Sequence, residues 1–241
     1  FGFICLLISI GQWTPKKHNA AFIGLTQFIG TLGPMFAAGP ISSIISHNQI
    51  SWRETFSTLA LIGIVISALI ALFVENNSIK RGNFIILNKP TRHLPEILNL
   101  FRSRQPWIIA LFSALIYFSL EYFSENEGRL MLASKGINII DAGYMISTSW
   151  LGYAIGCPLI GTLSDIIEKR TLFIKCSAFI SVLAFLTIKI FYGYYALLAG
   201  FFILGFAASG QTVAFALMAE QFEPPYVSIG YGLNNTTILI F

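Results

Sequence analysis

One ten-residue stretch, Gly161-Thr162-Leu163-Ser164-Asp165-Ile166-Ile167-Glu168-Lys169-Arg170, sets acids and cations between two long apolar runs. Residue types like these at this spacing do ionic rather than covalent chemistry. The acid Asp165 can sit where a helix end presents unpaired amides, and Lys169 and Arg170 where lipid phosphates lie. A second candidate is Glu121, the one carboxylate that falls inside an apolar run. A carboxylate placed there can take and release a proton, which is the chemistry of proton coupling. It shares its helix end with Glu125 and Glu127, so the alternative is a solvated acidic rim. The remaining candidates are polar or amphipathic side chains within apolar runs: Gln27, Tyr117, Trp150, Gln211 and Asn234. An unpaired polar group in hydrocarbon is costly, so each is expected to face a small-molecule substrate in a cavity. For each, the alternative is an interhelical hydrogen bond or an aromatic anchor at the membrane interface.

The elements that must position these residues are spanning helices. The 241 residues are 55% hydrophobic and 15% aromatic with 11% charged, too apolar for a water-soluble domain. A span needs about 20 mostly apolar residues, and six runs qualify: 20–46, 55–74, 106–123, 142–163, 171–191 and 195–218. Two more, Phe1 to Ile10 and the run from Tyr226 to Phe241, are cut by the chain ends, which reads as an excerpt of a larger protein. The first run has neither the cationic start nor the small-residue cleavage site of a signal peptide. The fold class expected is all-α membrane protein, with the lipid bilayer as a partner.

If the runs alternate in direction, Lys16, Lys17, Lys80, Arg81, Lys89, Arg92, Arg102, Arg104, Lys169, Arg170 and Lys175 share one side. Arg53, Arg129, Lys135 and Lys189 share the other. Cations are retained in short cytoplasmic loops, so the richer side is cytoplasmic. The net charge of +4 then suits anionic lipid headgroups and calls for no nucleic-acid partner. Residues 75–105, with Asn76, Asn77, Gly82, Pro90 and Pro95, read as a cytoplasmic linker in which Leu94 to Phe101 could lie on the membrane as a short amphipathic helix. The linker separates a bundle at 1–74 from one at 106–241. Gln12, Trp13 and Pro15 followed by Gly24, Leu25, Thr26 and Gln27 are echoed, one residue out of step, by Gln221, Phe222 and Pro224 followed by Gly232, Leu233, Asn234 and Asn235. Such an echo is what repeated bundles of a secondary transporter produce.

Enzyme motifs are absent: no HExxH, GxSxG, P-loop or GxGxxG occurs, and His18, His47 and His93 lie in separate loops. The sequence therefore predicts no enzyme, no metal site and no cofactor. Cys5, Cys157 and Cys176 read as small packing residues rather than a disulfide set. Gly152 and Gly156, and Gly205 and Ser209, stand at the four-residue interval that lets helix backbones approach closely in lipid.

Taken with the spans, Gly161, Leu163, Asp165, Lys169 and Arg170 resemble the loop motif of the major facilitator superfamily as it occurs between its eighth and ninth helices. Two positions depart from that motif. Ile166 replaces the usual basic residue, removing the cation that would carry a gating salt bridge, and Glu168 replaces the usual glycine. Trp52, Arg53 and Phe56 resemble the family's entry to helix six, and Gly30, Gly33, Pro34 and Gly39 its antiporter motif in helix five. The plainer reading of Gly30, Gly33 and Pro34 is helix packing and kinking, with Pro40 adding a second kink. The resemblance implies major-facilitator-type helix bundles incomplete at both ends, from the end of helix four to the start of helix eleven.

What the resemblance implies for function is a monomeric secondary transporter in the bacterial cytoplasmic membrane, moving a small organic solute by alternating access with proton coupling. It is loosely similar to nutrient and amino-acid permeases of the superfamily, which favours symport. The runner-up is a drug/proton antiporter exporting amphipathic compounds. A non-transporting sensor with the same fold, and a membrane-embedded enzyme, stand behind it.

Overall fold

The computed structural model describes residues 2–48, 50–73, 101–124, 126–223 and 226–240. The linker expected over 75–105 falls outside the described residues except at its last positions, as does most of the surface helix expected at Leu94 to Phe101. Every regular element among the described residues is helical: α1 (Gly2–Trp13), α2 (Asn19–Phe36), α3 (Ser42–Asn48), α4 (Trp52–Phe73), α5 (Arg104–Ser124), α6 (Asn126–Ser134), α7 (Ile139–Ile167), α8 (Arg170–Ile190), α9 (Tyr194–Ala208), α10 (Gly210–Glu220) and α11 (Val227–Ile240). A π-helical turn, Ala37–Ile41, joins α2 to α3.

Six spans long and apolar enough to cross a membrane result: α2 through α3, α4, α5, α7, α8, and α9 with α10. They coincide within a few residues with the six runs expected, and the protein is an integral, multi-pass membrane protein. Where a helix outruns its apolar core, polar capping sets the end. Ser51 and Glu54 exchange backbone–side-chain hydrogen bonds at the start of α4, Ser51 N to Glu54 Oε2 at 2.9 Å and Glu54 N to Ser51 Oγ at 3.3 Å. Asn138 Oδ1 accepts from Asp141 N at 2.8 Å to start α7.

The centre of the assembly is α7, whose two faces are both covered. Toward α2, a Cβ added to Gly161 would overlap the carbonyl oxygen of Ala20, and one added to Gly24 would overlap that of Cys157. Toward α9, a Cβ on Gly152 would overlap Phe202 O, one on Gly156 the hydroxyl of Ser209, and one on Gly205 the carbonyl oxygen of Ser149. The two four-residue intervals of small residues thus face each other. Lipid tails are as apolar as leucine, so this close van der Waals packing, rather than exclusion of water, holds the helices together. The buried polar residues of the interior are largely serines, among them Ser149, Ser164, Ser177 and Ser209. Large apolar side chains face outward, as on α5 with Trp107, Leu111, Leu115 and Phe118, and all along α4, which has no buried residue.

Gly30 and Gly33 do not share in the packing. An added Cβ at either meets nothing within 4 Å, so no described neighbour requires glycine there. Gly33 instead borders an open, apolar cleft of ≈ 710 Å³ between α2, α3 and α4. Pro34 lies inside α2, and Pro40 inside the π turn.

Candidate functional site

The charged end of α7 is where the chain crosses between its early and late helices. The segment α2 starts at Asn19 with His18 in the cap position, and His18 offers no side-chain hydrogen bond to the free amides. Asp165, from the last turn of α7, supplies the missing acceptor: its Oδ2 accepts from Ala21 N at 2.8 Å. Its Oδ1 pairs with Arg170 at 2.9 Å, and the Asp165 side chain is only 2% exposed. Arg170 in turn donates through Nε to Glu220 Oε1, at the end of α10, and through a terminal nitrogen to Ser164 Oγ at 3.3 Å. One carboxylate thus caps the positive end of α2 while its charge is balanced by a cation tied to α10. Beside it, Asn19 Nδ2 lies 3.5 Å from the buried Tyr231 hydroxyl of α11.

The other motif residues serve this geometry without touching the pair. Gly161, one turn before Asp165, lets α7 meet the first turn of α2. Leu163 is 46% and Ile166 68% exposed, facing outward where the resemblance would place a cation at 166. Lys169 is exposed in the cap position of α8 and makes no capping hydrogen bond. Glu168 adopts the left-handed conformation, φ 58°, while its amide closes onto Ser164 O at 3.0 Å. That is the conformation a glycine takes without strain, so the departure from the motif here costs backbone energy rather than a contact.

Higher in the bundle, three of the five expected substrate-facing residues come together. Tyr117 of α5 lies edge-on to Trp150 of α7, with ring centroids 6.4 Å apart. Both rings also contact Tyr153, at 5.8 Å from Tyr117 and 6.2 Å from Trp150. Tyr153 then donates its hydroxyl to Gln211 Oε1 at 2.7 Å, joining α7 to α10. Trp150, Tyr153 and Gln211 are buried and Tyr117 is half-buried. Such a cluster offers aromatic edges and one amide, suited to holding a small solute with an apolar part and a hydrogen-bonding part.

Gln27 and Asn234 lie elsewhere. Gln27 is half-buried on α2, where its backbone carbonyl accepts the Thr31 hydroxyl at 2.6 Å. Asn234 is fully buried in α11, and neither atom of its amide finds a hydrogen-bond partner among the described residues. Glu121 is exposed one helical turn beyond Tyr117 on α5. Among the described residues no group of three or more His, Cys, Asp or Glu could hold a metal ion.

Sequence reasoning passed over Glu220 and Tyr153 as working residues. Glu220 stands two residues past the apolar run ending at 218, and an acid closing one helix where a cation opens another was the available signal. Tyr153 follows Trp150 by three, the interval that puts two side chains on one helical face. A comparison with models of protein families matches residues 1–240 to the one described as Major Facilitator Superfamily. No curated protein matches the chain.

Proposed function

The chain belongs to the major facilitator superfamily of transporters, and from that premise we propose a secondary active transporter that moves a small organic solute, an amino acid or similar nutrient, across the cytoplasmic membrane. It works as a monomer by alternating access, in symport with protons. The observation that carries this reading is the tie between Asp165 and the Ala21 amide of α2. A buried carboxylate on one group of helices, capping a helix of another, is a contact that forms and releases as a unit. Transport by alternating access needs such a releasable closure at one end of the molecule. The solute is held against Tyr117, Trp150, Tyr153 and Gln211, with Gln27 and Asn234 contributing from α2 and α11. Glu121, exposed on the same helix as Tyr117, exchanges the coupled proton.

A second reading, export of amphipathic compounds by proton antiport, is favoured by one observation, the aromatic trio of Tyr117, Trp150 and Tyr153. The test of both is uptake of labelled amino acids into proteoliposomes carrying the full-length protein, with and without an inward proton gradient. Accumulation only with the gradient supports the symporter and predicts its loss in Glu121→Gln. No accumulation of any amino acid under either condition refutes nutrient symport and leaves export of amphipathic compounds as the reading to test.

A further inference from the structure

At the end of α2 opposite Asp165, the helix is deliberately irregular. A π turn hands its amide donors to carbonyls five residues back rather than four, and proline has no amide donor at all. Pro40, inside the turn Ala37–Ile41, therefore supplies no amide to the carbonyls of the preceding turn. The hydroxyl of Ser147, on α7, donates to Met35 O. Two residues beyond Pro40, the Ser42 amide turns to Gly39 O instead of the Ala38 carbonyl four residues back. Arg129, on α6, donates to Ala38 O at 3.0 Å. Both carbonyls thus accept from side chains that belong to the later helices.

The backbones at this point are close enough to make the arrangement tight. A Cβ added to Gly143 would come 2.6 Å from Ala38 O, and one added to Gly39 would come 3.1 Å from both the Ser147 Cβ and the Tyr144 ring. We infer that Ser147 and Arg129 form a second gate, a latch that closes the end of the protein opposite the Asp165 tie by donating to backbone carbonyls at the π turn. The latch uses single side-chain donors to backbone acceptors, so it can break without leaving a buried charge unpaired: on opening, the guanidinium of Arg129 and the two carbonyls meet water. It differs in kind from the Asp165 tie, where Ala21 N parts from a carboxylate buried together with its own cation, Arg170. The chemistry recommends the latch as the readily reversible gate and the Asp165 tie as the tighter one. This rests on the transporter reading for its purpose but not for its geometry, and its test needs no substrate.

The experiment is a pair of distance measurements by spin labelling on the full-length protein, with Cys5 and Cys176 replaced by serine. One label pair, Ser46→Cys with Ile139→Cys, spans the latch end; the other, Lys17→Cys with Ile166→Cys, spans the Asp165 end. Arg129→Gln and Ser147→Ala are each expected to raise the long-distance population of the first pair about tenfold, the loss of one hydrogen bond of this kind, while the second pair does not lengthen. Gly143→Ala, which wedges the backbones apart without touching either donor, is expected to do the same. An unchanged distribution at the first pair in Arg129→Gln and Ser147→Ala overturns the latch. So does a lengthening of both pairs together, which reports a loosened fold rather than a gate.

Discussion

Replacing Asp165 by asparagine tests the tie at the α2 end most directly, because the side chain keeps its shape and loses its charge. The Oδ2 contact to Ala21 N, 2.8 Å, can survive as a neutral amide accepting the same hydrogen bond. The Oδ1 contact to Arg170, 2.9 Å, lies within the later helices, so it is present whether or not α2 is tied, and its loss is read in stability. What holds α2 is the Ala21 bond, and a hydrogen bond to a charged partner contributes about 1.5–3 kcal/mol where a neutral one contributes about 0.5–1.5 kcal/mol. Asparagine therefore weakens the tie by about 1 kcal/mol. That amount multiplies the ratio of released to tied protein by about five, turning a released state of about 3% into about 14%. The spin-label pair at Lys17 and Ile166 reads this as a new long-distance population, and uptake falls at equal surface expression with little change in membrane insertion. Both Asp165→Asn and Arg170→Gln should lower the melting temperature, and the double variant should lose much less stability than the two losses added. Equal transport and an unchanged distance distribution in Asp165→Asn would refute the reasoning.

Glu168→Gly relieves the left-handed backbone at φ 58° and is expected to stabilise the protein by about 1 kcal/mol, read as a rise in melting temperature in detergent; a fall would mean that the Glu168 side chain makes a compensating contact. Gly205→Ala should destabilise by about 1–3 kcal/mol because its methyl group overlaps Ser149 O. Gly30→Ala, with nothing within 4 Å, should leave the melting temperature unchanged or slightly raised, and equal losses in the two variants would sink the packing account. Tyr153→Phe removes the 2.7 Å bond to Gln211 and leaves a buried amide oxygen unpaired, so it should cost about 1–3 kcal/mol of stability and, where the cluster holds solute, raise KM for uptake.

The spans were legible because the bilayer demands one thing of every helix, length in apolar residues, and composition shows that directly. Which glycines bring helices together was not legible, because two positions can share an interval while facing different neighbours. Gly30 and Gly33 face open space, while Gly24 and Gly161 carry the contact between α2 and α7. Asp165, in the last turn of α7, meets a helix end whose identity could not be named from the sequence: the donor is the backbone amide of Ala21, and a backbone amide carries no signature in side-chain identity. The same blindness hid the second gate. Nothing in the types of Ser147 and Arg129 names their acceptors, because those are the backbone carbonyls of Met35 and Ala38, at a π turn on another helix. A helix that must part from its neighbour and return gains from bonds made by single side chains to its backbone, since each can be exchanged for water on opening.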